Sequence, residues 1–471
     1  MNKEKETFVK DTFLVLASNA IVLLTGFFLK PLVGRLLGPT EYGVFALILS
    51  AGAILPYILL FSLNAGILFY VAKFQRNPAF VGSVVTTSVL FVLATSIVLF
   101  LPTYAVLSVL APVLGFGGFI AAYLLGVGYA LFYLLQAVLQ GLERFKNLSF
   151  FNTLSALAAA VVSVLAAFYW NNAVLAGFLR ASAIVGVSIV GVYSLKRLVK
   201  KFGRFDKRSF LSLWNYSKFL GVSWIVGSLI VADRYILAFF HSTREVAYYD
   251  LAYSFAIAIL PFSISILTTM SPRIIKNESA LDAYYKRLSL LNMMILTLFS
   301  LGLFYFSDIL VFLLLGQDFV AGTVLPLKII ALTLPLMAVY SLNSVVFTSL
   351  NKPRTAAVLG ILLAVASIAF NLLLVPSFAS VGASVANAGT YLLAVAVGFY
   401  YLLSKHSISL KPTVLQFGLF LLFIASYAII EAGGFPAKTA FFLLFVILTI
   451  LLQKTAVLEL AGLLKKMVLK R

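Results

Sequence analysis

No cysteine occurs among the 471 residues. Disulfides, thiol nucleophiles and thiolate metal sites are thereby excluded. Histidine is nearly as scarce: His241 and His406 fall in different loops and cannot build a metal cluster between them. Acid is also thin, with 15 Asp and Glu against 35 Lys and Arg, and charged residues make up only 11% of the chain. Phosphate-cradling P-loops, nucleophile elbows, paired catalytic carboxylates and any stretch that reads as a soluble domain are all missing, so nothing points to ATP hydrolysis or to an enzyme. The glycines of GFGGFIAAYLLGVGYA follow no strand and lie inside an apolar run, which makes them packing glycines and not a nucleotide fingerprint. What fills the chain is hydrophobic side chains, at 62%. That is incompatible with a soluble globular protein.

The apolar residues form about fourteen runs, each near the ~20 residues needed to cross a bilayer as a helix. They lack the period-two alternation of barrel strands. The expected fold class is therefore an all-α polytopic membrane protein. Spans are placed near 13–34, 43–71, 82–109, 115–140, 149–169, 173–195, 214–240, 247–272, 287–315, 323–349, 355–376, 381–403, 413–431 and 437–453. The gaps between them alternate in charge. Lys73 and Arg76, Arg144 and Lys146, Lys196 to Arg208, Arg273 to Arg287, Lys352 and Arg354, Lys405 and Lys411, and the C-terminal tail form one basic set. The gaps 102–115, 170–173, 316–323 and 376–381 hold almost no Lys or Arg. Cytoplasmic loops retain Lys and Arg, so both termini are expected in the cytoplasm of a cell-membrane protein. The formal charge of +20 is then the mark of an anionic leaflet, not of nucleic acid.

The first twelve spans read as two copies of six. At a shift of about 204, Lys30 falls on Arg234 and Glu41 on Glu245, and later Leu55-Pro56-Tyr57 matches Leu260-Pro261-Phe262; an even number of spans per copy makes this a parallel repeat. The expected organisation is an N-lobe over 1–195, a basic amphipathic linker over 196–213 lying on the cytoplasmic surface, a C-lobe over 214–404, and two further spans with a basic amphipathic tail over 405–471.

Function is sought in the charges that remain inside the membrane. Lys218 and Lys328 are close enough to span ends to snorkel. Lys30, Arg180 and Arg234 lie deeper, and Arg35 sits at the outer end of the first span. A cation costs several kcal/mol in a span and usually faces a partner or a wet cavity. Lys30 and Arg234, as repeat mates, are expected opposite each other across the lobe interface, forming a cationic site for an anionic substrate group. Asp233 is the one carboxylate well inside a span. It could bind a proton or sodium, pair with Arg180 or Lys30, or simply make Arg234 tolerable; adjacent helix positions point about 100° apart and do not face each other. Glu41 and Glu245 are expected to cap the helix that follows each. Asp250 carries no sharper message than a membrane boundary. Asn64, Gln136, Asn152, Asn292, Asn343, Asn371 and Asn387 are expected to tie helices together, some of them lining a hydrophilic cavity.

The stretches GRLLGPTEYGVFAL, LNAGILFYVAKF, LPFSISILTTMSPRI, QGLERFKN, SLNKPR and FNLLLVPSFASVGASVANAGTYL resemble the polysaccharide-export (oligosaccharide flippase) family of the MATE-like superfamily over nearly the whole length. The resemblance implies two six-helix lobes in a V, alternating access, and transfer of a polyprenyl-(pyro)phosphate-linked oligosaccharide from the cytoplasmic to the outer leaflet. It implies that Lys30, Arg234, Arg180 and Arg35 hold the substrate phosphate, with no cofactor, a coupling Na+ or H+ left open, and a monomer working beside glycosyltransferases among membrane lipids. Two alternatives stay open: a lipid II-type flippase, and a MATE-type cation or drug antiporter. The latter needs carboxylates in the first lobe, where Glu41 is the only acid between residues 12 and 142.

Overall fold

The computed structural model describes residues 2–199, 205–261, 263, 267, 281–350, 353–405, 410–427, 431 and 434–452. Every regular element among them is helical: α1 (Asn2–Leu60), α2 (Leu63–Lys73), α3 (Pro78–Val98), α4 (Phe100–Leu110), α5 (Gly115–Gly141), α6 (Phe145–Trp170), α7 (Ala173–Val199), α8 (Lys207–Ser228), α9 (Asp233–Phe240), α10 (Thr243–Ile257), α11 (Leu281–Leu315), α12 (Gln317–Ser349), α13 (Pro353–Lys405), α14 (Lys411–Ala425) and α15 (Gly434–Leu452), with short 3-10 turns at Pro112–Leu114 and Leu229–Ala232. Ten of the described helical stretches are long and apolar enough to cross a membrane. In hydrocarbon only internally bonded backbone survives. The protein is a polytopic helical membrane protein.

Two of the long helices are each double the length of a single crossing. Both are interrupted. In α1, Gly38 adopts φ 72°, and Pro39 restarts the helix where its missing N–H loses nothing. In α13, Ala379 at φ 48° follows Pro376. These breaks fall between spans expected from the sequence. Others fall inside them. The span expected over 43–71 is broken at Phe61 and Ser62, both left-handed at φ 47° and 54°. The span over 82–109 is divided at Leu99, and the span over 214–240 tightens into a 3-10 turn just before Asp233. Uniformly apolar runs carry no signal for such breaks.

Helix starts are capped by the expected chemistry. Asn77 accepts from the Phe80 amide at 3.1 Å ahead of Pro78. Asp206 accepts from the Arg208 and Ser209 amides at 3.1 and 3.0 Å and from the Ser209 hydroxyl at 2.7 Å. The Ser209 bonds hold the Asp206 carboxyl below the ordinary carboxylate range, so the cap keeps its charge at neutral pH. The linker expected as a surface helix is divided: its first residues continue α7 to Val199 and its last open α8 at Lys207, while 200–204 lie outside the described residues. The tail expected to be amphipathic, beyond residue 452, also lies outside them.

The chain forms two compact units, Met1–Leu251 and Ala252–Arg471. In the second, Leu267, Tyr285, Leu288, Leu342, Val346, Phe347 and Leu402 build one buried apolar cluster. Polar side chains tie its helices together, as expected without water to drive association. Tyr285 donates to Asn343 at 2.9 Å, Asn292 to the Ala338 carbonyl at 3.0 Å, and Gln416 to Thr297 at 3.0 Å. Lys328 does not simply snorkel: it donates to the Tyr427 hydroxyl at 2.7 Å and lies 3.7 Å from Asp308.

In the first unit, glycine permits the tightest approach. A Cβ on Gly43 would stand 1.8 Å from the Thr243 carbonyl oxygen, so the restart of α1 is in backbone contact with the start of α10. Gly43→Ala is expected to force the two apart, with an overpacking penalty of roughly 3 kcal/mol. A thermal melt of the purified protein checks this; an unchanged midpoint would show that the contact is not needed.

Candidate functional site

The approach at Gly43 sets α10 beside α1, and Asp250 on α10 thereby faces Lys30 on α1. The Lys30 ammonium donates to both oxygens of Asp250, at 3.1 and 2.9 Å. Arg234, on α9, donates through Nε to Asp250 Oδ1 at 2.9 Å. Tyr42, one turn past the Gly38 break, donates to Asp250 Oδ2 at 2.9 Å. One carboxylate thus gathers four donated hydrogen bonds from two elements, α1 and α9. Asp250 and Arg234 are 3% and 4% exposed, whereas the Lys30 side chain retains 26%.

The other side of Arg234 meets Asp233. Nη1 donates to Asp233 Oδ1 at 2.7 Å, and the Arg234 amide donates to the same oxygen at 2.8 Å. Tyr249 donates to Asp233 Oδ2 at 2.5 Å, and its ring lies under the guanidinium, 5.3 Å from centroid to Cζ. The expectation that adjacent residues do not face each other is corrected here. Asp233 opens α9 straight after a 3-10 turn, so its carboxylate folds over the free amide of the next residue, and the long Arg234 side chain reaches back to it. The pair makes Arg234 tolerable in the membrane, one of the roles expected for Asp233.

Arg180, on α7, completes the group. Its charge lies within electrostatic reach of Lys30 and Tyr42. One terminal nitrogen donates to the Tyr129 hydroxyl at 3.5 Å, while Nε and Nη1 are buried without a hydrogen-bond partner. Buried guanidinium donors are seldom left unfilled, because the desolvation cost falls due with nothing in return. Three cations therefore lie near two carboxylates, with donor capacity left over at Arg180. Arg35 is exposed on α1.

Lys30 and Arg234, expected opposite each other across a lobe interface, both donate to Asp250 within the unit Met1–Leu251. Sequence reasoning passed over Asp250, Tyr42 and Tyr249. The partners of Asp250 lie up to 220 positions away; the available signal was that three embedded cations need more counter-charge than Asp233 provides. Glu41 also acts differently from expectation. It accepts from the Ala173 amide at 2.9 Å and so caps α7, the helix of Arg180, instead of the helix that follows it. Glu245 lies in the first turn of α10.

Comparison with known proteins places this geometry in context. A Haloferax volcanii protein named probable low-salt glycan biosynthesis flippase Agl15 is 25% identical over 236 residues, 49% of this chain and 50% of the relative. The match thus spans about half the length of that protein. Among solved structures, the lipid II flippase MurJ in an inward closed conformation superposes with a TM-score of 0.74 at 14% identity, covering 94% of this chain and all of the other. An inward-facing multidrug resistance MATE family transporter of the MOP superfamily gives 0.64 at 14% identity, covering 82% and 97%. These likenesses establish a MATE-like fold. The family model for polysaccharide biosynthesis proteins matches residues 8–278, more than half of the chain and a stretch that contains Lys30, Arg180, Asp233, Arg234 and Asp250. The chain belongs to the polysaccharide biosynthesis protein family and has a MATE-like fold.

Proposed function

We propose that this protein is a flippase that carries a polyprenyl-(pyro)phosphate-linked oligosaccharide from the cytoplasmic to the outer leaflet by alternating access, for synthesis of a cell-surface polysaccharide or glycan. It crosses the cell membrane fourteen times, with both termini in the cytoplasm, and works as a monomer beside the glycosyltransferases that build its substrate. Its lobes are 1–195 and 214–404. The observation that carries this reading is the unequal charge of the buried cluster: three cations, two carboxylates, and two guanidinium nitrogens of Arg180 with no partner. A sugar-phosphate head cannot enter hydrocarbon with its polar groups unpaired. A cationic cleft supplies those pairs while the polyprenyl tail stays in lipid. Arg180 offers the forked donors suited to phosphate, and Lys30 a mobile point charge.

The antiporter alternative is the weaker one. A cationic cargo needs carboxylate oxygens to spare, and those of Asp233 and Asp250 already accept bonds from Arg234, Lys30, Tyr42 and Tyr249. The named relative is called a glycan biosynthesis flippase, in keeping with the anionic-lipid reading.

The test is translocation of a labelled lipid-linked sugar in proteoliposomes. Lys30→Ala and Arg180→Ala are each expected to slow transfer roughly tenfold, the loss of one charge-assisted contact to phosphate. Full-rate transfer by the double variant would remove the cluster from the substrate path.

A further inference from the structure

A row of aromatic rings starts at Arg180. Its first member is Tyr129, whose hydroxyl accepts from the Arg180 guanidinium. The Tyr129 ring stacks on Tyr133, one helical turn along α5, at 6.0 Å and 26°. Tyr133 meets Tyr57 of α1 at 6.1 Å and 39°. Tyr57 stacks on Trp224 of α8 at 5.5 Å and 23°. Three helices thus contribute to one continuous strip.

Close packing beneath the strip holds it in place. Leu55 fills the space where Gly126 lacks a side chain, and Leu125 does the same at Gly52; Cβ atoms there would come within 2.5 and 2.4 Å of those leucines. The approach of α1 to α5 is therefore set by side-chain omission, and Tyr57 comes to Tyr133 as a consequence. Phe61 likewise lies against Gly221, bringing α8 in so that Trp224 reaches Tyr57. The rings are not sealed. Trp224 is 52% exposed, and Tyr57, Tyr129 and Tyr133 are half-buried. An aromatic belt at a bilayer interface consists of single rings turned to the headgroups. Here four rings follow one another across three helices, and one end is bonded to a guanidinium.

We infer that Tyr57, Tyr129, Tyr133 and Trp224 form a sugar-binding subsite, on which pyranose rings of the cargo stack while its phosphate is held by Arg180 and Lys30. The inference rests on the proposed function and adds where the glycan lies. A pyranose presents a face of C–H groups with partial positive charge, complementary to the negative face of a π system. Its equatorial hydroxyls point sideways and can pair with hydroxyls such as those of tyrosine. Stacking of this kind tolerates variation in sugar identity, because it reads a face and not a particular hydroxyl. The phosphate that links lipid to sugar belongs at the Arg180 end, which puts the first sugar at Tyr129 and Tyr133 and later ones toward Trp224.

The experiment is equilibrium binding to the full-length protein in nanodiscs, using polyprenyl phosphates that carry no sugar, one hexose, or one N-acetylhexosamine. At least one glycosylated lipid is expected to bind about tenfold more tightly than the bare lipid, the gain from stacking on two rings. Tyr133→Leu combined with Tyr57→Leu is expected to bring that ratio to within about twofold, while affinity for the bare lipid stays as in the wild type. Retained bare-lipid binding also shows that the variant is folded. Tyr57→Phe, which keeps the ring, is expected to preserve most of the preference. A sugar preference that survives in the double leucine variant overturns the inference, as does a wild type that prefers no sugar in the panel. The phosphate reading fails separately, if Lys30→Ala with Arg180→Ala leaves binding of all three lipids unchanged.

Discussion

Asp250→Asn is expected to be the most damaging single substitution in the membrane interior. The carboxylate accepts from Lys30, Arg234 and Tyr42, and an asparagine of the same shape offers one acceptor oxygen and one amino group. Whichever way the amide is turned, a donor meets a donor. The buried Arg234 guanidinium, 4% exposed, loses half of its counter-charge. Removing one partner from a buried pair of this kind costs roughly 3–5 kcal/mol, because the remaining charge is left uncompensated. At about 2 °C per kcal/mol for a cooperative unit of this size, the melting midpoint should fall by roughly 6–10 °C. Lys30→Met should cost less, since Lys30 keeps 26% exposure and water takes part of its charge already. Combined with Asp250→Asn, Lys30→Met should recover part of the loss, because one orphaned cation disappears. A thermal melt of the three variants reads this directly. Equal midpoints for Asp250→Asn and the wild type would mean that Asp250 does not organise the cluster.

The sequence made the class of fold plain, because the length, spacing and charge of apolar runs are linear properties. The alternation of basic and neutral gaps and the break at Gly38-Pro39 could be read directly. The cluster was legible only on its cationic side. A lysine in a span is conspicuous, since its insertion cost is paid locally. An aspartate that compensates it is not, when it lies on a helix 220 positions away. The repeat proposed from the sequence is asymmetric in its acids. At the shift that sets Lys30 on Arg234, Asp233 falls on Leu29 and Asp250 on Ala46. The two copies share a cation, but both acids belong to the second copy. That asymmetry explains why the pair converges on one carboxylate: the first copy brings a bare cation, and the second brings a cation together with both counter-charges. The breaks at Phe61 and Leu99 stayed hidden because they are made by packing, not by proline or glycine. The aromatic strip stayed hidden because tyrosine and tryptophan are common in every membrane protein, and only three-dimensional contact separates a strip from a scatter.

Outward transfer should respond steeply to membrane potential, and this is the second large effect. The proposed cargo is an anion: a phosphodiester carries one negative charge and a pyrophosphate diester two. With the compartment of origin negative, moving one such charge out is favoured by about 2.3 kcal/mol per 100 mV, close to 50-fold in the equilibrium ratio between leaflets. Two charges would square that factor. The cationic cluster does not cancel the effect over a full cycle, because its Lys and Arg return empty and only the cargo changes sides. In proteoliposomes a potassium diffusion potential sets the voltage, and the labelled lipid in each leaflet is counted at equilibrium without any sodium or proton gradient. The expected slope is a tenfold change per ~59 mV for one phosphate and about half that voltage for two. The measurement therefore counts the charges of the cargo as well as testing its sign. A distribution indifferent to voltage would mean that a cation travels with the lipid in each cycle, and the direction of transfer would then have to come from that ion. A distribution that moves the opposite way would contradict an anionic cargo altogether, and with it the role given to Lys30 and Arg180.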